Sequence, residues 1–247
     1  MKAKIHPTVV IGSHAVIEDN VRIGAGTVIG DFVVVKKGTT IGKHNRIHTG
    51  ACLGTDPQDY HFRGETSYCS IGDDNIIREY ATISRATGRG RKTVIGDRNF
   101  IMTYVHIAHN ALIGNDTVIA SGTQIGGHVK IGDRATLGGL VGVHQKCRIG
   151  AYAMVGAKSY INKDVPPYFL ARGNRAKVYG VNTKGLRRHH LSWKVIEEIK
   201  CIFRHLYCTS ENLRRSLALI GQEHRSVYAA EIVRFVRSSR RGIAARA

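Results

Sequence analysis

Residues 95–161 read IGDRNFIMTYVHIAHNALIGNDTVIASGTQIGGHVKIGDRATLGGLVGVHQKCRIGAYAMVGAKSYI, and in this stretch Ile, Leu or Val returns at every sixth position without a break. A period of two would indicate a half-buried strand and one of 3.6 an amphipathic helix, so neither element explains the pattern. A fixed period of six is typical of a β-helix, in which each hexad supplies a short strand and a corner, and three hexads form one coil. The stretch therefore predicts an elongated prism of β-structure.

The same phase extends back to residue 5. Of the 27 positions from 5 to 161 that share it, 24 are aliphatic, and the exceptions are Asp59, Glu65 and Arg89. These exceptions fall in two segments rich in charge and Gly, near 55–70 and 84–93, which we interpret as loops that leave the coil and return to it. Unrelated buried strands would not keep one phase over this length.

The ends of the hexads carry a second signal. Gly commonly follows the aliphatic residue, for example at Gly114 and Gly132, and this suits a corner where backbone freedom is needed. After Ile161 the repeat gives way to NKDVPPYFLARGN. Because Pro cannot donate to a strand ladder, we expect Pro166 and Pro167 to end regular pairing and the coil to stop there.

Helical periodicity begins near Ser192, a residue type that caps helices. One apolar face follows it, made of Val195, Ile196, Ile199, Ile202, Phe203 and Leu206. Two more helices are predicted, one near 212–220 started by Ser210 and one near 227–237. The expected fold is an all-β parallel β-helix over residues 1–188 with a small C-terminal α-helical domain over 189–247.

The chain is strongly basic, with 37 Lys and Arg against 18 Asp and Glu and a formal net charge of +19. This balance indicates an anionic partner or surface. Nucleic acid is not expected, because no recognition motif accompanies the charge and aromatic residues are few. An acidic protein partner, a phosphorylated substrate and simple solvation all fit the charge, which is spread over both parts of the chain.

The sequence offers no membrane or secretion signal. No uninterrupted apolar stretch approaches the ~18 residues of a membrane span, and the start MKAKIHPTVV lacks the apolar run of a signal peptide. The five cysteines show no CxxC spacing, so we expect reduced, mostly buried thiols and a cytoplasmic protein.

Four of the 13 histidines lie between residues 106 and 144, namely His106, His109, His128 and His144. One coil is 18 residues, so His109, Gly127 and Gln145 occupy equivalent points on successive coils at the strand spacing of about 4.8 Å. The register therefore predicts a polar column on an apolar prism, although a plain surface stripe would look the same. An imidazole beside a backbone N–H suits acyl transfer, which needs a base for a hydroxyl proton and a donor for the oxyanion.

Several motifs add specificity to this column: HIAHNALIG (106–114), IGGHVKIG (125–132), VHQKCRIGAYAMVG (143–156), DVPPY (164–168) and GNRAKVYGVNTKGLRR (173–188). Together with the hexads they closely resemble the UDP-N-acetylglucosamine O-acyltransferases of lipid A biosynthesis, over nearly the whole chain. The resemblance implies a left-handed coil, a homotrimer with active sites between neighbouring prisms, and transfer of a 3-hydroxyacyl chain from acyl carrier protein to the glucosamine 3-position.

The resemblance also implies roles for individual residues. His109 would be the general base, and Gly127 would supply the oxyanion N–H. The remaining site residues would bind the sugar, the acyl chain or the nucleotide: Gln58, Asp59, His61, His106, His128, His144, Gln145, Ala157, Asn182 and Arg188. Ala157 lies at the position that determines acyl-chain length in the family, and Asn182 and Arg188 would contact the nucleotide. No metal and no resident cofactor are implied, since the donor carries its own phosphopantetheine.

The chain departs from the family pattern at a few of these places. The residue after the base is Asn110 instead of Asp, so the sequence places no carboxylate next to this imidazole; an amide can hydrogen-bond it but cannot stabilise its charged form. In the first loop His61 replaces a usual Lys. Lys184 replaces a Glu, and His189 replaces the second Arg of a pair. These changes leave substrate identity more open than reaction type.

Three alternatives remain at this point. A zinc enzyme of the carbonic anhydrase type shares the hexads, but it needs three imidazoles at one tetrahedral point. A non-enzymatic scaffold would need no polar column. An acyltransferase that acts on a different nucleotide sugar or amino sugar is the nearest competitor.

Overall fold

The computed structural model describes residues 2–247 and contains 26 strands and four helices. Nearly all strands are two to four residues long and pair in parallel with strands one coil away, so that three flat sheets form the faces of a prism. This confirms the prediction of a β-helix built from hexads.

The strands are named in chain order and grouped here by sheet. Sheet one contains β1 (Lys4–Ile5), β4 (Arg22–Ile23), β7 (Thr39–Ile41), β10 (Tyr68–Ile71), β13 (Lys92–Ile95), β16 (Leu112–Ile113), β19 (Lys130–Ile131) and β22 (Arg148–Ile149). Sheet two contains β2 (Val10–Ile11), β5 (Val28–Ile29), β8 (Arg46–Ile47), β11 (Ile76–Ile77), β14 (Phe100–Ile101), β17 (Val118–Ile119), β20 (Thr136–Leu137), β23 (Met154–Val155), β25 (Phe169–Arg172) and β26 (Lys177–Val181). Sheet three contains β3 (Val16–Ile17), β6 (Val34–Val35), β9 (Cys52–Thr55), β12 (Thr82–Ser84), β15 (His106–Ile107), β18 (Gln124–Ile125), β21 (Gly142–Val143) and β24 (Tyr160–Ile161).

The core of the prism is the column of repeated aliphatic residues. From Ile23 onward each of them is at most 4% exposed, and each stacks on its counterpart one coil away. Burial of one such side chain contributes about 1.5–3 kcal/mol. The first coil is different, because Ile5 and Ile11 are 37% and 44% exposed with a coil on one side only.

Two insertions leave the hexad phase intact because their lengths are multiples of six. Ile71 pairs with Ile41, 30 residues earlier, and with Ile95, 24 residues later, whereas one uninterrupted coil spans 18. The excess of 12 residues lies between β9 and β10, and the excess of six lies between β12 and β13. The phase therefore runs through two loops whose own residues do not enter the coil.

The glycines at the corners have a different role from the predicted one, which was to supply backbone freedom. A Cβ on Gly114 would lie 2.8 Å from the backbone nitrogen of Asp133 on the next coil, so this Gly is required by close stacking and not by its dihedral angles. Left-handed corner conformations are taken mainly by other residue types, including Asn110 (φ 60°) and His128 (φ 61°).

The expectation that the coil stops at Pro166 and Pro167 is wrong. β25 follows these prolines and pairs in parallel with β23, and β26 then pairs antiparallel with β25. Gly150 donates to the carbonyl of Val165, but among residues 2–247 no further coil lies above the prolines, so the N–H groups that proline lacks are not needed there. Pro is therefore tolerated at this last corner.

The helices are α1 (Thr183–Arg188), α2 (Trp193–Tyr207), α3 (Leu213–Glu223) and α4 (Val227–Arg237). Ser192 caps α2 as predicted, because its side chain accepts from the Val195 N–H. The prediction that Ser210 starts α3 is wrong, because Asn212 caps this helix and accepts from the Arg215 N–H. The short helix α1 was not predicted. None of these four helices, within residues 2–247, is both long and apolar enough to cross a bilayer.

The helices pack on the end of the prism. Phe169 of β25 contacts Phe203 and Tyr207 of α2 edge-on, and the Arg148 guanidinium lies 4.2 Å above the Phe235 ring of α4. The cysteines are all free, but only Cys69 and Cys147 are buried, so the expectation of mostly buried thiols is wrong.

Candidate active site

The predicted column is present at the corner after sheet three. The N–H of His128 donates to the carbonyl of His109 (2.9 Å), and the N–H of Lys146 donates to the carbonyl of Gly127 (2.8 Å). His109, Gly127 and Gln145 are therefore stacked on three successive coils. The strands below them carry His106, Gln124 and Gly142 in register.

His109 is 9% exposed and is held by the residue that follows it. Its Nδ1 lies 2.8 Å from Oδ1 of Asn110. Asn110 is fixed in turn by the backbone of Thr87, because its Oδ1 accepts from the Thr87 N–H and its Nδ2 donates to the Thr87 carbonyl, both at 3.0 Å. These two bonds decide which end of the amide is oxygen, so His109 donates through Nδ1–H, and in the neutral ring the lone pair is then on Nε2.

A carboxylate does lie next to His109, which the sequence did not indicate. The first loop folds back so that Oδ2 of Asp59 is 3.7 Å from His109 Nδ1, and the Asp59 side chain is only 16% exposed. The hydrogen bond from the His61 backbone holds the pKa of the Asp59 carboxyl well below its usual range, and the His61 ring, the Thr87 hydroxyl and His109 act in the same direction. The carboxylate is thus charged at neutral pH and faces the imidazole.

Gly127 is required by the imidazole of the preceding coil. A Cβ at this position would lie 2.5 Å from His109 Nε2, closer than any real contact, so only Gly lets the ring lie against the backbone here. The N–H of Gly127 has no hydrogen-bond acceptor among residues 2–247. The backbone of Gly127, which has an unused N–H among residues 2–247, therefore lies next to Nε2 of His109.

The other histidines surround this pair. His106 Nδ1 is 2.8 Å from the Thr82 hydroxyl, His128 packs edge-on against His109 with 5.3 Å between ring centroids, and His144 lies edge-on to Tyr160. Burial lowers the pKa of His106 and of His128, and the nearby His109 lowers both further. Both rings are therefore neutral at neutral pH.

A cleft of about 390 Å³ opens along this column on the sheet-three face. Its lining includes Gln58, His106, His109, Gly127, His144, Gln145 and Tyr160. Gln58 reaches it from the first loop. His61 is 89% exposed and binds Asp59 instead of lining the cleft.

Asn182 and Arg188 lie elsewhere on the same chain. They line a second cleft of about 460 Å³ against sheet two, together with Met154, Leu170 and Lys184. Asn182 caps α1 and donates to the Tyr152 carbonyl, so its side chain also has a structural role. Within one chain the two clefts lie on different faces of the prism.

Ala157 is exposed at the corner between sheets two and three, one coil above Gly139. His189 packs edge-on against Tyr152, and burial lowers its pKa. Neither residue lines the histidine cleft.

Sequence reasoning missed several residues that shape this site. Thr87 orients Asn110, and Tyr160 closes one side of the cleft. Tyr160 could have been found from the register, because it stands one coil above Gly142. Thr87 lies in a loop, where no period indicates its position.

Comparisons with known proteins identify the family of the chain. A family model described as UDP N-acetylglucosamine O-acyltransferase, domain 2, matches residues 164–244, and a bacterial transferase hexapeptide model matches residues 2–31 and 92–127. The acyl-(acyl-carrier-protein)–UDP-N-acetylglucosamine O-acyltransferase of Syntrophobacter fumaroxidans is 44% identical over 98% of this chain and 95% of its own length.

Two solved structures are similar over almost all of the chain. The UDP-N-acetylglucosamine acyltransferase of Francisella novicida is 37% identical with a TM-score of 0.96, covering 99% of this chain and 90% of its own. That of Moraxella catarrhalis is also 37% identical with a TM-score of 0.87, covering 97% and 98%. The left-handed coil is confirmed by this similarity, and the chain belongs to the UDP-N-acetylglucosamine O-acyltransferase family.

Proposed function

We propose that this protein transfers a 3-hydroxyacyl chain from acyl carrier protein to the 3-hydroxyl of the glucosamine ring in UDP-N-acetylglucosamine, as a step of lipid A biosynthesis. One observation supports the proposal most directly: Nε2 of His109 lies against Gly127, whose N–H has no acceptor among residues 2–247. A proton acceptor and an oxyanion donor side by side are what attack of a hydroxyl on a thioester requires.

The reaction follows from these positions. His109 Nε2 takes the proton of the acceptor hydroxyl as its oxygen attacks the thioester carbon, and the Gly127 N–H donates to the carbonyl oxygen as it gains negative charge. Collapse of this intermediate breaks the carbon–sulfur bond, and His109 returns the proton to the leaving phosphopantetheine thiol. No step needs a metal or a resident cofactor.

The imidazolium formed in this sequence needs a negative partner. Asn110 accepts from Nδ1–H but carries no charge, whereas the Asp59 carboxylate lies 3.7 Å from the same nitrogen. We therefore assign the stabilisation of the charged ring to Asp59 and its orientation to Asn110. Asp59 is then an electrostatic partner of the base as well as a residue beside the sugar.

The nucleotide would bind in the second cleft, where Arg188 and Lys184 supply positive charge for the diphosphate. Since this cleft and the histidine cleft lie on different faces of one prism, a complete site requires two chains. A closed ring of three prisms lets every chain present its sheet-three face to the sheet-two face of a neighbour. We propose a homotrimer with three shared sites.

Ala157, at the edge of the sheet-three face, would limit the length of the acyl chain. We place the reaction in the cytoplasm, where five free cysteines stay reduced. The excess of basic residues is suited to an acidic carrier protein.

The experiment that tests the function is a product assay. The protein is incubated with UDP-N-acetylglucosamine, its 3-amino analogue or other UDP-sugars, and carrier proteins loaded with 3-hydroxyacyl chains of different length, and products are identified by mass. We expect one acyl chain on UDP-N-acetylglucosamine. A product formed only from a different sugar would retain the chemistry but overturn the acceptor.

A further inference from the structure

Within residues 2–247, one group of three metal-ligating side chains places a ligand atom of each within 4.8 Å of the others: Cys201, His205 and His224. It lies in the helical domain, far along the chain from the histidine column. Cys201 and His205 are four residues apart on α2, so they share one face of that helix. His224 follows the last residue of α3 and brings in the third atom from a second helix.

One ring nitrogen of His224 has no hydrogen-bond partner among residues 2–247. Its Nε2 is buried and makes no hydrogen bond within the described part of the chain. Its Nδ1 lies 3.5 Å from a carboxylate oxygen of Glu198. Buried polar atoms are normally paired, and an orphan atom indicates a missing partner such as an ion. A carboxylate on one ring nitrogen with the other nitrogen free is the arrangement of a zinc-binding His.

The surroundings carry compensating charge. Glu223 lies 3.1 Å from His205 Nε2, so two carboxylates flank the group in a chain whose net charge is +19. Around a tetrahedral zinc, with bonds of about 2.0–2.3 Å, ligand atoms are separated by about 3.5 Å. The three ligand atoms, which lie within 4.8 Å of one another, would move to this distance by side-chain rotation on zinc binding.

We propose that Cys201, His205 and His224 bind a zinc ion that links α2 to α3, with Glu223 or water as the fourth ligand. A thiolate with two imidazoles selects zinc over magnesium or calcium, which prefer oxygen ligands. Zinc binding displaces the proton of the Cys201 thiol to solvent, so affinity rises with pH. The ion stabilises the helical hairpin and takes no part in acyl transfer.

The proposal is tested by metal content and by a spectroscopic probe. Protein without a polyhistidine tag is stripped with a chelator, reloaded with Zn²⁺, desalted and measured by mass spectrometry. We expect about one zinc per chain, and a rise in the thermal midpoint on reloading. Loading with Co²⁺ should give tetrahedral visible bands and a thiolate-to-cobalt charge-transfer band.

The variants are Cys201→Ser and His224→Gln, with Cys208→Ser as the matched control. Cys208 is exposed at the end of the same helix and lies outside the group. We expect the first two to lose zinc by at least about tenfold and the control to retain it. Circular dichroism establishes that each variant is folded, and the charge-transfer band of Co²⁺ tests Cys201 in the unmodified chain. Zinc retained in Cys201→Ser, or bound Co²⁺ without a thiolate band, would overturn the assignment.

Discussion

Asn110 decides which nitrogen of His109 carries a proton, and it does so through Thr87 rather than through charge. The Thr87 N–H and carbonyl bind the two ends of the Asn110 amide, and only an amide satisfies both. A carboxylate at this position would place an oxygen next to the Thr87 carbonyl oxygen, and the two would repel each other where the amide now donates a hydrogen bond. The residue that departs from the family pattern therefore fits its own loop, and the charge near the base comes from Asp59 instead.

The first prediction concerns the base itself. His109→Ala should lower kcat by about 10²–10⁴, which is the usual contribution of a positioned base. UDP-N-acetylglucosamine should still bind, since the diphosphate is assigned to Arg188 in the other cleft. Steady-state kinetics and calorimetric binding measure the two effects separately, with His14→Ala, at an exposed corner, as the control. A near-normal kcat would remove His109 from the mechanism.

The second prediction separates charge from orientation. The Asp59 carboxylate has a lowered pKa, so it stays charged as pH falls and favours the protonated ring beside it. Asp59→Asn should therefore lower kcat on the plateau and move the acidic limb of the kcat/KM profile to lower pH. Asn110→Asp should move that limb to higher pH.

The control is the double variant, in which the charge has been moved from residue 59 to residue 110. It should restore the acidic limb toward its original position, whereas activity stays reduced because the hydrogen bond from the Asn110 side-chain amide to the Thr87 carbonyl is lost. Identical pH profiles in Asp59→Asn and the unmodified protein would contradict the role of Asp59.

The corner that carries Gly127 lies against His109, so the stacking of the coils determines the position of this ring. Gly127→Ala places a methyl group 2.5 Å from His109 Nε2 and must displace the ring. We expect a loss of kcat comparable with that of His109→Ala, with the fold retained because Gly127 has no positive φ. Gly139→Ala is the matched corner control, since its Cβ meets only one backbone oxygen at 3.3 Å. Equal activities in the two variants would show that the ring does not depend on this glycine.

The stacked column supplies a prediction for stability. Ile119 is completely buried in the middle of the prism, so Ile119→Ala should cost about 2–5 kcal/mol of unfolding free energy. Ile11 occupies the same place in its hexad but is 44% exposed, and Ile11→Ala should cost much less. Denaturant unfolding compares the two. Equal losses would mean that the coils do not share one cooperative core.

The regular strands could be predicted from the sequence, and the loops between them could not. Outside the two insertions, every hexad from Ile23 onward buries one aliphatic residue, so the period predicts the fold directly. The stacking of His109 and Gly127 follows from the 18-residue coil. The approach of Asp59 does not, because a 12-residue insertion has no period and its path depends on hydrogen bonds such as that from the Gly88 N–H to the Glu65 carboxylate. The prediction that the coil stops at Pro166 and Pro167 is wrong for a related reason. The effect of these prolines depends on whether another coil lies above them.

Across the whole molecule, the two clefts on different faces of the prism have the clearest consequence. In the proposed function, His109 and the residues assigned to the nucleotide form incomplete sites in one chain and complement each other between chains. We expect His109→Ala to remove the proposed base and Arg188→Glu to remove the positive charge proposed to bind the diphosphate. When the two variants are co-expressed, some pairs of neighbouring chains contain an intact His109 facing an intact Arg188.

We therefore expect co-expression to restore activity that neither variant has alone. With equal amounts of both chains, about a quarter of the sites should be complete, because each of the two contributing chains must be the right one. The control pairs His109→Ala with the double variant His109→Ala/Arg188→Glu, which contains no intact base and should stay inactive. Light scattering on the same samples should give the mass of three chains. Since complementation requires that the two residues act from different chains, no activity above the control would place both functions in one chain and contradict the shared site.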